Sequence, residues 1–168
     1  MRWKPNVTVA AIVELQGRFL LVEEQTDQGL RLNQPAGHLD DGESLLNACI
    51  REAAEETGFQ IRPTALVGIY QWSPPGQTGL TYLRFAFAAE LLGAEGDPTR
   101  DRVNLAFAGQ YPHALLCHLD DGIVRAIWMS REELLTCQAA HRSPLTLQCV
   151  DDYLAGRRFP IDLIHHYD

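Results

Sequence analysis

The chain has 168 residues, of which 46% are hydrophobic and 21% are charged, and its formal net charge is −8. This composition excludes a disordered protein and predicts one globular domain over residues 1–168. The acidic balance argues against binding to a nucleic acid polymer, which requires a basic face. It is compatible with a small anionic substrate that is held through a metal ion.

The first third of the chain predicts a hairpin, a long loop and an acidic helix. Because Glu14 interrupts the first apolar run, a strand explains that run better than a signal peptide does. A loop is expected over residues 25–42. The helix that follows should carry Glu43 and Ser44 in its first turn and close at Gly58. The two predicted strands of the hairpin are Val7–Leu15 and Phe19–Glu24.

The rest of the chain alternates strands with short helices, which predicts an α/β (α+β) fold with a mixed sheet. Ser130, with Glu133 three residues later, forms a capping box that predicts one helix. A second helix should start at Ser143-Pro144. Residues 93–119 show no convincing period, which predicts a long loop insertion that acts as a mobile flap. The predicted strands here are Thr64–Trp72, Leu80–Leu91 and Ile123–Met129.

The acidic helix clusters its carboxylates. At about 100° per residue, Glu52, Glu55 and Glu56 share one arc, and Arg51 at its edge is expected to pair with only one of them. Like charges at this spacing repel one another in water, but they suit Mg²⁺ or Mn²⁺, which prefer oxygen ligands. For three glutamates alone, a solvated helix face is the alternative. A separate apolar stripe should face the protein body, namely Leu46, Ile50, Ala53 and Ala54.

The spacing of fixed residues extends beyond the helix. Gly37, Glu43 and the run REAAEETGF at residues 51–59 match every defined position of the Nudix box, and chance agreement at seven fixed residue types is very small. The chain therefore resembles the Nudix hydrolases, which cleave diphosphates linked to another moiety. The resemblance implies a Nudix-type α/β/α sandwich with a mixed sheet between helices. It also implies a hydrolase that requires Mg²⁺, for which Mn²⁺ would substitute.

The resemblance also implies roles for individual residues. Glu43 would act as a base or a structural partner, since a continuous helix would place it away from the other acids. Arg51 would orient a glutamate, and Gly37 would let the backbone approach the ions. Asp120 and Asp121, just before a predicted strand, are candidates for an extra acid, although a surface turn also favours these residues. The implied metal ligands are Glu52, Glu55, Glu56 and the carbonyl of Ala36.

Short motifs point to a substrate class. The segments KPNVTVA, NQPAGHLDDGE, YQW and HRSPL resemble the NudJ-type phosphatases of the Nudix family. This resemblance implies action on thiamine pyrophosphate, on its hydroxymethylpyrimidine pyrophosphate precursor and on nucleoside di- and triphosphates. Tyr70 or Trp72 would stack on a heteroaromatic ring, unless both are ordinary strand residues. His38 would contact phosphate, unless it is simply solvated. The candidate phosphate-binding arginines are Arg18, Arg31 and Arg84.

Other functions stay open at this point. ADP-ribose or dinucleoside polyphosphates are alternative substrates, and a non-catalytic nucleotide-sensing module or a metal-dependent isomerase would use the same fold. Four cysteines without C-x-x-C or zinc spacing predict reduced thiols in a cytoplasmic protein. No apolar run approaches the roughly 18 residues of a membrane span, so the expected partner is a small molecule and not a membrane. The chain would be a monomer or a homodimer.

Overall fold

A mixed seven-stranded sheet organises the computed structural model, which describes residues 2–92 and 119–167. The strands are β1 (Asn6–Leu15), β2 (Arg18–Thr26), β3 (Gly29–Asn33), β4 (Ala36–His38), β5 (Ile61–Trp72), β6 (Tyr82–Leu91) and β7 (Ile123–Ser130). The α-helices of the described residues are α1 (Leu45–Thr57), α2 (Arg131–Thr136) and α3 (Leu145–Leu154). None of these helices is long and apolar enough to cross a membrane.

The sheet has the order β3-β2-β1-β6-β5, with β4 added to β1 and β7 added to β2. Only β1 and β6 run parallel, and every other described strand pair is antiparallel. A tight turn at Gln16 and Gly17, both with positive φ, joins β1 to β2. These two strands pair only at their last and first residues, Glu14 with Phe19 and Leu15 with Arg18. Beyond these pairs β1 turns to β4 and β2 turns to β7, so the two strands diverge.

Helices cover both faces of the sheet, as the alternation of side chains along β1 requires. On one face, Val9, Ala11 and Val13 belong to a core that includes Ala48 and Ala53 of α1. On the other face, β1 residues belong to a core with residues of α2 and α3, namely Ala10, Ile12, Leu134, Cys149 and Val150. The sheet therefore lies between helices, as predicted for an α/β/α sandwich.

Several predicted boundaries are confirmed and others are wrong. The capping box of Ser130 and Glu133 is present, and Gly58 closes α1 with a φ of 71°. The predicted loop over residues 25–42 contains β3 and β4, because strands of five and three residues are too short to show a period of two. The helix begins after Glu43, since the Ser44 side chain accepts a hydrogen bond from the Asn47 backbone and caps α1. The predicted flap lies outside the described residues, apart from Leu119.

Candidate active site

Two of the box glutamates lie on the buried side of α1. Only 7% of Glu52 and 8% of Glu56 is exposed, whereas Glu55 is more exposed. The predicted apolar stripe is confirmed in that Ala53 belongs to the core and Leu46 and Ile50 pack against it, but part of the carboxylate arc is buried as well. Leu46, Ile50 and Ala54 are only partly buried. The small β4 strand packs beside the helix and covers the glutamates, so the buried positions of α1 are Ala48, Cys49, Glu52, Ala53, Glu56 and Thr57.

Arg51 joins the acidic residues to one another. Its Nε and Nη2 atoms donate to the two carboxylate oxygens of Glu43, both at 2.9 Å. Its Nη1 atom donates to Glu52 at 2.7 Å and to Glu55 at 3.0 Å, and Nη2 also donates to the His38 carbonyl at 3.0 Å. The prediction of a single pairing is wrong because a guanidinium carries five donors in a planar fork. These bonds, the one to Glu43 first, raise the pKa of Arg51 and keep it charged.

Gly37 allows Glu52 to reach its position. A Cβ atom at residue 37 would lie 2.1 Å from the Glu52 carboxyl carbon and 2.2 Å from each carboxylate oxygen. Gly37 is not among the glycines with positive φ, so its backbone conformation is accessible to alanine. The requirement for glycine therefore comes from contact with Glu52.

Glu56 is the most strongly perturbed carboxyl group of the helix. Its Oε2 atom accepts a hydrogen bond from the Ala36 backbone N–H at 2.8 Å. Burial raises the pKa of Glu56 from its ordinary value of 4.5 to about 8, and the charges of Glu52, Glu24 and Asp120 act in the same direction. Burial also raises the pKa of Glu52, against the opposing effect of Arg51. Ionised carboxylates here would be stabilised by an added cation.

Asp120 joins this acidic group from a distant part of the chain. One carboxylate oxygen from each of Glu52, Glu55 and Asp120 lies within 4.8 Å of the other two. The Asp120 backbone N–H donates to the Glu55 carbonyl at 3.1 Å, which fixes the chain ahead of β7 against α1. Asp121 is exposed and lies outside the cluster. Three oxygen donors grouped in this way can hold a metal ion.

A cleft of about 680 Å³ lies beside the acidic group, where β1 and β2 diverge. Of the predicted substrate contacts, His38, Trp72 and Arg84 line the cleft. Tyr70, Arg18 and Arg31 do not, and their polar atoms contact other parts of the protein. Tyr70 donates to buried Asp152 at 2.8 Å, Arg18 pairs with Glu133 at 2.7 Å, and Arg31 donates to the Leu30 carbonyl at 2.8 Å.

The sequence did not single out three further residues that line the cleft. Tyr82 stacks on Trp72, with ring centroids 5.9 Å apart and planes at 23°. The two residues face each other in the β5–β6 register, which the sequence alone does not specify. Glu24 and Arg142 form an ion pair at 3.2 Å. Arg142 belongs to the HRSPL motif, which was a signal for it, whereas nothing marked Glu24.

A family profile, a curated relative and solved structures all show similarity between this chain and NUDIX proteins. The profile of the NUDIX domain family matches residues 2–149. The chain is 38% identical over 167 residues to Phosphatase NudJ of Escherichia coli (strain K12), across 99% of this chain and 94% of that protein. A NUDIX hydrolase from Nitrosomonas europaea is 45% identical, with a TM-score of 0.80 over 98% of both chains. An ADP-ribose pyrophosphatase from Streptococcus suis, 18% identical with a TM-score of 0.58 over 98% of this chain and 97% of that one, shares the fold. The predicted fold class is confirmed.

The contact of Gly37 predicts the effect of Gly37→Ala. The added methyl group would push the Glu52 carboxylate away, and a flexible side chain can move at small cost. We expect the free energy of unfolding to fall by less than about 2 kcal/mol, while turnover falls by at least ~10²-fold. Chemical denaturation and steady-state kinetics measure the two effects. Gly156→Ala, outside the cleft, is the control: its φ of 79° strains an alanine and costs stability, but no atom lies within 4 Å of the added methyl group, so turnover should not change. Turnover within about twofold of wild type would contradict the requirement.

The raised pKa of Glu56 predicts how the metal-free protein responds to pH. Because the folded state binds this proton more tightly than the unfolded chain, the contribution of Glu56 to stability is fully present below about pH 4.5 and is lost as the pH rises through about 8. In EDTA at pH 8, Glu56→Gln should raise the free energy of unfolding by about 1–3 kcal/mol and flatten this pH dependence.

Glu43→Gln is the matched control, because hydrogen bonds from Arg51 lower the pKa of Glu43. This variant should be less stable than wild type at the same pH, the opposite of Glu56→Gln. Denaturation curves at several pH values between 5 and 8.5, all in EDTA, measure both effects. Equal pH slopes for wild type and Glu56→Gln would show that Glu56 does not retain its proton.

Proposed function

The chain belongs to the NUDIX domain family, and from this premise we propose that it is a metal-dependent hydrolase of a pyrophosphate bond in a small phosphorylated metabolite. The predicted family and the predicted enzyme class, a hydrolase acting on pyrophosphate bonds, are confirmed. The observation that carries the proposal is the meeting of Glu52, Glu55 and Asp120 within 4.8 Å, beside a cleft of substrate size.

These residues form a site for a divalent cation, which we propose to be Mg²⁺, with Mn²⁺ as a substitute. Glu52, Glu55 and Asp120 would hold it, and Glu56 and the Ala36 carbonyl are further candidate ligands. The bound ion would neutralise the pyrophosphate and lower the pKa of a water molecule. Arg51 restrains Glu52 and Glu55 through hydrogen bonds and thereby fixes the spacing of their oxygens.

The remaining acids differ in their suitability as a base. Glu43 accepts two hydrogen bonds from Arg51, and these lower its pKa, so we assign it to positioning Arg51. Glu56 accepts a hydrogen bond from the Ala36 N–H at 2.8 Å and none from Arg51, so the guanidinium does not engage its carboxylate. We therefore propose Glu56 as the residue that takes a proton from the attacking water.

The proposed substrates are thiamine pyrophosphate, hydroxymethylpyrimidine pyrophosphate and nucleoside di- and triphosphates. Similarity to Phosphatase NudJ over almost the full chain supports this class. The stacked rings of Trp72 and Tyr82 at the cleft support a heteroaromatic group in the substrate. ADP-ribose and dinucleoside polyphosphates are the alternative substrates. A non-catalytic nucleotide sensor is disfavoured because all box glutamates are retained beside the cleft.

The organisation of the molecule is part of the proposal. We propose that residues 1–168 form one domain, with an insertion at about 93–119. This domain acts on small molecules, as a monomer or as a homodimer. Free thiols at Cys49, Cys137 and Cys149 are consistent with a cytoplasmic location.

The acidic cluster predicts which carboxylates matter for activity. Glu52→Gln should lower kcat by at least ~10²-fold, because it removes a charge that faces the proposed cation. Asp120→Asn should raise the Mg²⁺ concentration needed for half-maximal activity by at least ~10-fold. Asp121, the neighbour of Asp120 outside the cluster, provides the control. Asp121→Asn should change neither kcat nor the Mg²⁺ concentration needed for half-maximal activity. Circular dichroism establishes that each variant is folded. Normal turnover of Glu52→Gln at saturating Mg²⁺ would show that Glu52 is not a ligand of the proposed cation.

The substrate class predicts the outcome of a panel assay. Thiamine pyrophosphate and nucleoside di- and triphosphates should be hydrolysed in Mg²⁺ with release of orthophosphate, and EDTA should abolish the release. ADP-ribose and a dinucleoside polyphosphate are assayed in parallel by chromatography of their products. A kcat/KM for either compound more than ~10-fold above that of every proposed substrate would move the protein to the alternative class.

A further inference from the structure

Arg84 is a buried cation whose hydrogen-bond partners are neutral. It lies on β6, opposite Thr8 of β1, and 8% of the residue is exposed. Its Nη2 atom donates to Asn33 at 3.3 Å and its Nη1 atom donates to Gln34 at 3.4 Å, both long hydrogen bonds. No carboxylate oxygen of the described residues lies within 4.0 Å of its guanidinium. A charge buried in this way is costly unless an anion accompanies it.

The other arginines of the described residues show how unusual this environment is. Those that are more exposed than Arg84 and have a carboxylate oxygen within 4.0 Å are Arg18, Arg51, Arg62, Arg125, Arg131, Arg142 and Arg157. Arg2, Arg31 and Arg158 also have no carboxylate within 4.0 Å, but they are more exposed, so burial coincides with missing charge compensation only at Arg84 among the described residues. This is the reverse of what stability alone would favour.

The acids around Arg84 do not form an ion pair with it. The charge of Arg84 acts on Glu24, but Glu24 pairs with Arg142 at 3.2 Å. Burial raises the pKa of Glu24, and both Arg142 and Arg84 oppose that rise. Burial likewise raises the pKa of the Cys149 thiol, which lies near Arg84 and is neutral at physiological pH. Asp27 also lines the cleft, and buried Asp152 near Cys149 pairs with Arg157 at 3.4 Å, but neither acid lies within 4.0 Å of the Arg84 guanidinium.

The guanidinium is held in place and faces the cleft. Gln34, 1% exposed, donates to the Thr146 carbonyl at 2.7 Å and so fixes the amide oxygen that Arg84 contacts. Arg84 lines the cleft together with buried Asn33, Ser143 and Leu145, which form its floor.

We propose that Arg84 binds a terminal phosphate group of the substrate at the floor of the cleft, with Gln34 as a positioning residue. The proposal rests on the proposed function in that the substrate is taken to be a phosphorylated small molecule. A guanidinium fork matches two oxygens of a phosphate group, and the anion would supply the missing charge. Because a terminal phosphate carries more charge and more free oxygens than one esterified on both sides, the site favours substrates with an unesterified terminal phosphate over those capped at both ends.

The test measures binding without catalysis. Inorganic pyrophosphate is titrated into the full-length protein in EDTA by calorimetry. Arg84→Met should weaken binding by at least ~10-fold, Arg84→Lys by less, and Gln34→Leu by an intermediate factor. Arg31→Met removes the same charge outside the cleft and should bind like wild type. If Arg84→Met does not fold, Arg84→Lys decides, and its thermal unfolding is recorded beside each titration. Equal Kd values for wild type, Arg84→Lys and a folded Arg84→Met would overturn the proposal, as would a wild-type Kd above ~10 mM.

A kinetic arm tests selectivity and separates the two proposals. In Mg²⁺, Arg84→Met should lower kcat/KM for a nucleoside triphosphate by at least ~10-fold more than for a dinucleoside polyphosphate. An equal loss for both compounds would overturn the selectivity. If no compound is hydrolysed but pyrophosphate binding in EDTA still depends on Arg84, the proposed function fails and the phosphate site stands. If hydrolysis proceeds and Arg84 changes neither Kd nor selectivity, the phosphate site fails and the proposed function stands.

Discussion

The bonds of Arg51 are the interaction on which the arrangement of the acidic site depends. Its guanidinium joins Glu43 ahead of α1, Glu52 and Glu55 within α1, and the His38 carbonyl of β4. Without a cation, carboxylates this close would repel one another and separate. Through Arg51, three neighbouring segments of chain hold a fixed relation, and Glu52 can remain beside Gly37. The helix, the short strand and the acidic group therefore form one structural unit.

The site combines two regions of opposite charge. Glu52, Glu55 and Asp120 concentrate negative charge, while Arg84 places a cation without a carboxylate within 4.0 Å, among the described residues, at the floor of the cleft. A phosphorylated compound with a bound divalent cation has the complementary pattern, since the cation and the free phosphate oxygens carry opposite signs. The net charge of −8 hides this division, which becomes visible only when residues are placed in space.

Features that depend on residues close together in the sequence were predicted correctly, whereas features that depend on contacts between distant residues were not. The box and α1 were predictable because their signals lie within 23 consecutive residues, from Gly37 to Phe59. The burial of Glu52 and Glu56 was not, because it depends on β4, a strand of only three residues that packs beside the helix. Tyr82 required the β5–β6 register, and placing Asp120 beside Glu55 required tertiary structure. Arg84 was singled out, but its lack of a carboxylate partner emerged only from packing.

The separation of β1 and β2 after two residue pairs has a consequence for how this architecture changes during evolution. The opening is created by the course of the backbone, so it persists when the side chains around it are exchanged. Rim residues such as Pro75 and Gln77 belong to an exposed turn, where substitutions and insertions are tolerated. New specificities can therefore arise at the rim while the hydrolytic helix is inherited unchanged.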